Sequence, residues 1–491
     1  MEVPRCMSTQ HPDNARSPFF TDGGVIQGEG EIREAYYAYS HLGCTEQMWD
    51  YEGKEVDAFV VKKLLTRYES FFRERRLGED LFLTLRVPNP RVERLEGKIL
   101  LETLESIPRS YDIARTLYGD DAPSPILEVI LPMTACAAEL NRVYHYYADF
   151  VGGKERQRCY DMPVSDWVGE FRPDKIQVIP LIEDLEHLLE ADSIVEEYLQ
   201  DKNADHQRVF LARSDPALNY GQLSAVLLNK IALQRLDRLQ RRIGVELLPI
   251  VGVGSAPFRG NLRPGRVNEF LREYPSVQTF TIQSAFKYDY PEEEVTKAIS
   301  LITERTRGAA QEIDAATCLP IIHKLASKYA ERVTALAPLV NEISKHIPPR
   351  RARKLHIGLF GYSRNLDGYS GIRLPRAIGF CASLYSIGLP PEILGLSALT
   401  RGELKLVRNA YVNIDQDIAD SLRYLNEENL AFLPGMIRED VEAAMDWFPY
   451  ESDEPHAESA TAVLAGVRSG HHSPTIEEEI VRAAIRRRFM G

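Results

Sequence analysis

Short apolar runs rich in β-branched residues alternate with longer helical patterns along most of this chain. Several of these runs are apolar almost without interruption, which is typical of parallel strands buried on both faces. The predicted strands are 81–87, 126–131, 176–182, 207–212, 247–253, 277–283 and 355–361. The helical patterns between them include 91–106, 184–200 and 222–242. This alternation predicts an α/β fold in which helices cover parallel strands.

The number of predicted strands favours a closed barrel. The seven runs and a further strand near 4–10 make eight, which is the number that a (β/α)8 TIM-like barrel requires. An open doubly wound sheet is the alternative, because closure is not visible in a sequence. We interpret the helical stretch near 293–346 as an insertion between the last two strands or a layer outside the barrel. We expect a single catalytic barrel domain over 1–448, followed within 449–491 by a flexible segment and a short C-terminal helix.

Composition and charge restrict the classes of function. The chain has 491 residues, of which 44% are hydrophobic and 27% are charged, as in an ordinary globular protein. Its net charge of −13 argues against a nucleic-acid partner, because phosphate backbones require clustered positive charge. The six cysteines are scattered without zinc-like spacing, and we expect them to be reduced. Neither a signal peptide pattern nor a membrane-spanning apolar run is visible, so we expect a soluble cytoplasmic protein without a membrane partner.

Polar residues collect at the ends of the predicted strands. In a parallel barrel the carboxyl ends of the strands carry the active site. The residues at these ends are Arg86, Glu183, Asp184, Arg213, Asp215, Ser255, Arg259, Gln283, Tyr362, Ser363 and Arg364. Each has a structural alternative, since an arginine at a strand end often pairs with a carboxylate and an aspartate before proline often forms a turn.

The combination of several arginines with two carboxylates favours a site for an anionic substrate and a metal. Guanidinium groups bind phosphate or carboxylate through paired hydrogen bonds. Glu183 and Asp215 supply the oxygen ligands that Mg²⁺ prefers, with substrate and water completing the coordination. The loop GVGSAPFRG at 252–260 lacks the third glycine of a dinucleotide motif and the lysine of a Walker loop. We interpret it as a loop that presents Arg259, together with Arg263, to an anion.

A histidine lies in a turn close to the start of the chain. In the segment CMSTQHPDNA (6–15), Pro12 excludes helix at His11, and the residues after it favour a turn. His11 is therefore predicted to project from a strand end, where an imidazole can transfer protons near neutral pH. A surface histidine or a hydrogen-bonded structural histidine is the alternative.

Segments that contain these residues follow one another up to about residue 440. They are MSTQHPDN, LTLRVPNP, VIPLIEDLE, FLARSDPALNYG, GSAPFRGNLRP, LHIGLFGYSRN and LPRAIGF. In this order they resemble the segments of archaeal-type phosphoenolpyruvate carboxylase. The resemblance implies a barrel of the phosphoenolpyruvate-binding superfamily, a divalent metal, and a homodimer or homotetramer.

Some of these segments are also similar to motifs of the larger bacterial and plant carboxylases. TQHPDN is similar to their catalytic TAHPT motif, which implies that His11 transfers a proton. PLIEDL and RSDPALNYG resemble their metal-ligand segments, which implies that Glu183 and Asp215 bind Mg²⁺, with Mn²⁺ as the alternative. LTLRV resembles their LDIR strand end and offers Arg86 as a phosphate ligand.

Other motifs assign anion binding to further arginines. GSAPFRG resembles half of the glycine–arginine loop and implies a role for Arg259, while LPRAIGF is similar to RAIPW and implicates Arg376. GYSRN resembles GSRP and implicates Arg364. The histidine of the glycine–arginine loop has no counterpart here, which leaves the bicarbonate contact unassigned. A basic residue that follows RAIPW in the larger enzymes is also missing, so the phosphate clamp must be completed by another residue, such as Arg213 or Arg263.

The resemblance implies the conversion of phosphoenolpyruvate and bicarbonate to oxaloacetate and phosphate, which replenishes oxaloacetate for central metabolism. In this reaction a bicarbonate oxygen attacks phosphorus, giving carboxyphosphate and a metal-stabilised enolate that captures the carbon dioxide released later. Two alternatives stay open. One is another Mg²⁺-dependent barrel lyase or aldolase acting on an oxoacid, and the other is a non-catalytic barrel that binds an anionic metabolite and acts as a regulator.

Overall fold

The computed structural model describes residues 3–21, 23–52, 56–352, 363–365, 372–470 and 474–491, with only the backbone for 363–365. The predicted strand 355–361 therefore lies outside the described residues. No helix in these ranges combines the length and the apolar character needed to cross a membrane. The six cysteines all lie in described residues, where they form no disulfide.

Eight parallel strands form a closed barrel, which confirms the predicted (β/α)8 fold and excludes the open sheet. Each strand pairs with its neighbours in chain order, and β1 closes the ring by pairing with both β2 and β8. The strands are β1 (Cys6–Ser8), β2 (Glu46–Asp50), β3 (Phe82–Arg86), β4 (Glu128–Leu131), β5 (Gln177–Ile182), β6 (His206–Ala212), β7 (Glu246–Gly252) and β8 (Thr279–Ile282).

The identity of one barrel strand differs from the expectation. The sequence count reached eight with 355–361, whereas the barrel is completed by β2, whose residues are EQMWD. All five residues of β2 are buried, and the strand pairs in register with β3 from Glu46 opposite Phe82 to Asp50 opposite Arg86. A search for apolar runs misses β2 because the strand contains polar residues. Of these, Glu46 forms an ion pair inside the barrel.

The interior of the barrel contains an ionic layer as well as an apolar one. Met7, Ile179 and Phe210 belong to a buried apolar cluster inside the ring. Next to it the fully buried Arg208 donates to Glu46 and Glu128 at 2.7 Å. Burial opposes the charge on Arg208, but the two carboxylates outweigh it and raise the pKa of the guanidinium group. Because each charge is paired, the buried layer is tolerated and holds β2, β4 and β6 together.

Helices connect the strands and cover the outside of the barrel. Those between strands are α1 (Glu29–Ser40), α2 (Val60–Arg67), α3 (Glu69–Glu74), α4 (Gly97–Glu105), α5 (Ile107–Tyr118), α6 (Ala137–His145), α7 (Val164–Val168), α8 (Leu185–Leu189), α9 (Ala191–Leu199), α10 (Ser214–Tyr220), α11 (Gln222–Ile243) and α12 (Val267–Glu273). Those after β8 are α13 (Ser284–Tyr288), α14 (Glu292–Glu304), α15 (Ala315–Ser344), α16 (Ala377–Tyr385), α17 (Arg401–Ala410), α18 (Ile414–Leu422), α19 (Ile437–Trp447), α20 (Glu454–Arg468) and α21 (Pro474–Arg487). Two-stranded hairpins join Arg158–Cys159 to Met162–Pro163 and Ser363–Asn365 to Arg373–Pro375.

The helical stretch near 293–346 follows the last barrel strand. It consists of α14 and the long α15, and α15 packs against α10, α11 and α16 on the outside of the barrel. It is therefore an outer layer and not an insertion between two barrel strands.

The C-terminal region is more regular than its composition indicated. Residues 454–468, within the segment expected to be flexible, form α20, which begins where the Asp453 side chain accepts from the backbone N–H of His456. Helix α20 packs on α21, the predicted C-terminal helix. The backbone N–H of Met490 then donates to the carbonyl of Asp13 at 2.6 Å, so this region reaches the β1 end of the barrel.

Candidate active site

A cavity of about 550 Å³ opens at the carboxyl ends of the barrel strands. Seven of the nine predicted site residues line it, although they come from widely separated parts of the chain. These residues are His11, Arg86, Glu183, Arg213, Asp215, Arg259 and Arg376. The closed barrel thus brings together the proton carrier, the two carboxylates and four of the arginines that the sequence singled out.

His11 is held in a turn just beyond β1. Its Nδ1 lies 2.9 Å from the hydroxyl of Thr9, and that hydroxyl lies 3.3 Å from the carbonyl of Ile282 at the end of β8. The carbonyl of His11 accepts from the backbone N–H of Ser284, at the start of α13. These contacts tie the turn to β8 and fix the imidazole at the wall of the cavity.

The turn after His11 is joined to the glycine–arginine loop by Asp13. Its fully buried carboxylate lies 3.2 Å from Nη1 of Arg259 and also accepts from the backbone N–H of Ala285. Burial raises the pKa of Asp13, although Arg259 and backbone N–H groups oppose this shift. Arg259 further donates to Gln283 at 2.5 Å and to the carbonyl of Gly491 at 2.9 Å. Its position is therefore fixed from several sides.

The glycine–arginine loop rests on a buried acid. The carboxylate of Glu392 accepts from the backbone N–H of Phe258 and from the hydroxyl of Tyr385, both at 2.5 Å. Burial raises the pKa of Glu392 to about 7, against the hydrogen bonds that favour its charged form. This contact supports the short helical turn that carries Arg259.

Two carboxylates neutralise the arginine at the end of β3. Asp50 accepts from Nε and Nη2 of Arg86 at 2.8 and 2.6 Å, in the paired geometry that guanidinium and carboxylate favour. Glu52 is 1% exposed. Its Oε2 lies 2.9 Å from Nη1 of Arg86, and its Oε1 lies 2.8 Å from Nη2 of Arg376. Burial opposes the charge of Arg86, but Asp50 and Glu52 raise the pKa of its guanidinium group. Glu52 therefore couples the two arginines across the cavity wall.

Two other cavity arginines have no such compensation. Arg213, which is 1% exposed, donates to the carbonyl of Phe258 at 3.2 Å. Arg350 donates to the carbonyls of Asn14 and Ala15 at 3.2 and 2.7 Å. Within the described parts of the chain, neither guanidinium forms an ion pair with a carboxylate. Because carbonyls cannot neutralise a charge, the guanidinium groups of Arg213 and Arg350 each make their part of the cavity wall attractive to anions.

Glu183 and Asp215 follow β5 and β6, which are neighbours in the barrel, and both line the cavity. Their carboxylate oxygens are hard ligands of the kind that Mg²⁺ and Mn²⁺ accept. Among the residues that the structure describes, no group of three metal-ligating side chains is assembled. A pair of carboxylates fits a divalent cation that takes its other ligands from substrate and water.

The structure does not bring Arg263 into this set. Its Nη2 donates to Asp420 at 2.6 Å, and the residue is not part of the cavity lining. Asp420 lies on α18, and it also accepts from Arg266 and Asn261. Arg263 thus belongs to a network that holds the loop after β7 against α18.

Arg364 lies in the described hairpin backbone, but its side chain is outside the described residues.

Some residues of the site were not found from the sequence. In the sequence, Asp13 and Asn14 indicate only a turn, and Glu52 lies beyond a strand that the apolar pattern does not predict. Arg350 follows α15 and reaches the turn after His11 across more than three hundred residues. The signal available for Asp13 was its place within TQHPDN, but nothing local in the sequence marks Glu52 or Arg350.

Comparison with known proteins agrees with this geometry. The family model described as phosphoenolpyruvate carboxylase matches residues 3–491, which extends beyond the segments recognised up to about 440. The chain is 52% identical to the phosphoenolpyruvate carboxylases of Methanospirillum hungatei JF-1 and Methanothermobacter thermautotrophicus, with all of each chain covered. It is 48% identical to that of Pyrococcus abyssi, again over the whole of both chains. The chain therefore belongs to the phosphoenolpyruvate carboxylase family.

Proposed function

We propose that this barrel converts phosphoenolpyruvate and bicarbonate to oxaloacetate and phosphate with the aid of a divalent metal. Family membership over the full chain supports the reaction. The observation that carries the site assignment is the convergence of His11, the Glu183–Asp215 pair and the arginines on one cavity. The same observation favours a carboxylase over a barrel that only binds an anion, because a binder does not need a proton carrier.

The arginines divide into anion-binding and positioning groups. Arg213 has no carboxylate partner in the described chain, so its charge is available for the phosphate of the substrate. Arg259 and Arg376 line the same cavity, where Arg259 contacts Asp13 and Arg376 contacts Glu52. We propose that they stabilise the charge that develops on the transferred phosphoryl group. Arg86, held by two carboxylates, contributes mainly by fixing Glu52 and hence Arg376.

His11 is proposed to accept the proton of the bicarbonate-derived group. Because the hydroxyl of Thr9 donates to the carbonyl of Ile282, it is positioned to accept from Nδ1–H of His11, and we propose that Nε2 is the basic nitrogen. A bicarbonate oxygen attacks phosphorus, and the bond from phosphorus to the enol oxygen breaks, giving carboxyphosphate and the enolate of pyruvate. Deprotonation of carboxyphosphate by His11 splits it into carbon dioxide and phosphate. The enolate carbon then bonds to carbon dioxide and forms oxaloacetate.

Glu183 and Asp215 are proposed as the protein ligands of the metal, with Mg²⁺ preferred and Mn²⁺ as the alternative. The bound cation supplies charge neutralisation for the substrate carboxylate and the enolate oxygen. The chain supplies the two carboxylates from the ends of the adjacent strands β5 and β6, and both carboxylates line the cavity. Catalysis requires that water is kept from the enolate, because its protonation would yield pyruvate.

The proposal also covers the domain organisation, the cellular location and the subunit count of the protein. We propose that 1–448 form one catalytic domain to which the helices within 449–491 are attached. We also propose that the protein acts in the cytoplasm as a homodimer or homotetramer. Light scattering of the purified protein measures the subunit count, and a monomeric mass at working concentration would contradict the oligomer.

The test of the proposed function is a coupled assay with phosphoenolpyruvate, Mg²⁺ and varied bicarbonate. Phosphate release is measured together with reduction of the oxaloacetate formed. We expect both products in equal amounts and neither without bicarbonate. Phosphate release that needs no bicarbonate, or that gives no oxaloacetate, would show another phosphoenolpyruvate reaction, such as hydrolysis or a lyase step.

A further inference from the structure

We propose that Arg350 is the residue that binds bicarbonate, an inference that rests on the proposed function and completes it. Arg350 lies in the segment after α15, and residues 347–352 of this segment line the cavity. Its backbone is fixed because its carbonyl accepts from the N–H of Ile26 at 2.9 Å. The guanidinium group is thus carried by an ordered segment outside the barrel strands.

The side chain of Arg350 is directed at the turn that carries His11. Its Nε and Nη2 donate to the carbonyls of Asn14 and Ala15, three and four residues beyond His11. In the described chain Nη1 of Arg350 donates to no acceptor, and the residue shares the cavity lining with His11. An anion bound by this guanidinium therefore lies close to the imidazole that must receive its proton.

The charge of Arg350 is not balanced by the groups around it. Burial lowers the pKa of Arg350, and Asp289, the acid whose charge opposes this shift, makes its hydrogen bonds to other groups. The two oxygens of Asp289 accept from the backbone N–H groups of Ala15 and Arg16 at 2.7 Å, and burial raises its pKa to about 7. The next residue, Arg351, is in contrast paired with Glu31 and Glu34 at 2.8 and 2.6 Å. A half-buried guanidinium without a carboxylate partner is suited to a small monovalent anion.

The position of Arg350 also separates it from the phosphoenolpyruvate-binding groups. Arg213 follows β6 and contacts the loop after β7, whereas Arg350 contacts the turn after β1. Strands β1 and β6 are not neighbours in the barrel, so the two uncompensated arginines approach the cavity from different sides. A bicarbonate oxygen can attack phosphorus only when both substrates are bound at the same time. Separate sites for the phosphate and for bicarbonate meet this requirement.

The test is steady-state kinetics of Arg350→Gln and Arg350→Lys, with each substrate varied in turn. Loss of one charge-assisted contact corresponds to about a tenfold to hundredfold weaker interaction. We expect the KM for bicarbonate to rise by about this factor in Arg350→Gln, while the KM for phosphoenolpyruvate changes less than about threefold. Arg350→Lys, which keeps the charge, should show a smaller rise for bicarbonate.

The matched control is Arg16→Gln, which removes an exposed arginine beside the same turn. It should leave both KM values unchanged. An unchanged bicarbonate KM in Arg350→Gln, or an equal rise in both KM values, would overturn the assignment. If Arg350→Gln does not fold, the same comparison between the KM for bicarbonate and the KM for phosphoenolpyruvate is made with Arg350→Lys. A wild-type protein that makes no oxaloacetate would instead contradict the proposed function itself.

Discussion

We propose that Thr9 fixes the proton of His11 on Nδ1. Its hydroxyl lies between His11 Nδ1 and the carbonyl of Ile282, at 2.9 and 3.3 Å. Thr9→Val keeps the shape of the side chain but removes this contact, so the imidazole loses its fixed tautomer and orientation. We expect kcat to fall by about tenfold or more, with little change in either KM, because proton transfer and not binding is affected.

Thr9→Ser is the control for this prediction, since it restores the hydroxyl group without the methyl group. It should recover most of the wild-type kcat and its pH profile. If Thr9→Val retains the wild-type kcat and pH profile, the hydroxyl does not position the base.

The metal assignment is testable at Glu183 and Asp215. Glu183→Gln and Asp215→Asn keep the side-chain size but remove a charged ligand. Each should raise the Mg²⁺ concentration for half-maximal activity by about tenfold or more, whereas thermal stability without metal changes little. Glu186→Gln, at an exposed position three residues beyond Glu183, should behave as wild type. An unchanged metal response in both ligand variants would refute the assignment.

Part of this site was predictable from the residue types in local motifs. The contacts between residues far apart in the sequence were not predictable. His11, Glu183 and Arg213 lie at strand ends or in turns that the sequence indicates, and the barrel brings them to one cavity. Arg263 has the same local signal, but Asp420, which lies more than 150 residues away, holds its guanidinium outside the cavity. Arg350 has no local signal at all. Partner choice among charged side chains is decided by tertiary packing, and a single sequence does not display it.

At the scale of secondary structure, β2 shows where the strand prediction was wrong. Its residues EQMWD carry charges that serve the interior ionic layer and Arg86, so the pattern is neither alternating nor apolar. Several of the other barrel strands were predictable because their near-continuous apolar runs are buried on both faces. A strand that supplies buried ion pairs can be recognised only when its partners in other strands are known.

The packing of α20 on α21 gives a pH-dependent prediction. His456 on α20 is fully buried and accepts from Nη1 of Arg487 at 2.7 Å. Burial, reinforced by the nearby arginines, lowers the pKa of His456 well below its usual value. The unfolded chain therefore takes up a proton below about pH 6.5 that the folded chain refuses. Stability should fall with decreasing pH by up to about 1.4 kcal/mol per pH unit from this residue.

The measurement is thermal or denaturant unfolding between pH 5 and 7 for wild type, His456→Gln and the control His41→Gln. Glutamine keeps an acceptor for Arg487 but does not titrate, so His456→Gln should show a shallower loss of stability on acidification. His41 is exposed, and its replacement should leave the slope unchanged. Identical slopes for all three proteins would contradict the buried neutral histidine.

At the scale of the whole molecule, barrel closure is what converts scattered motifs into one site. β1 pairs with β8, which places the His11 turn beside α13 and the loop that carries Arg259. The C-terminal residues complete this wall through Met490 and Gly491. The fold class was predictable from the alternation of strands and helices, but closure and the contribution of the last residues were not.

The proposed reaction depends on the attack of bicarbonate on the phosphoryl group inside this cavity. The direct measurement is the fate of oxygen in a reaction with ¹⁸O-labelled bicarbonate and unlabelled phosphoenolpyruvate, followed by mass analysis of the phosphate. Transfer through carboxyphosphate leaves one bicarbonate oxygen on phosphorus, so we expect one labelled atom in each phosphate released with oxaloacetate. Phosphate without label, formed while oxaloacetate accumulates, would contradict the transfer of the phosphoryl group to bicarbonate.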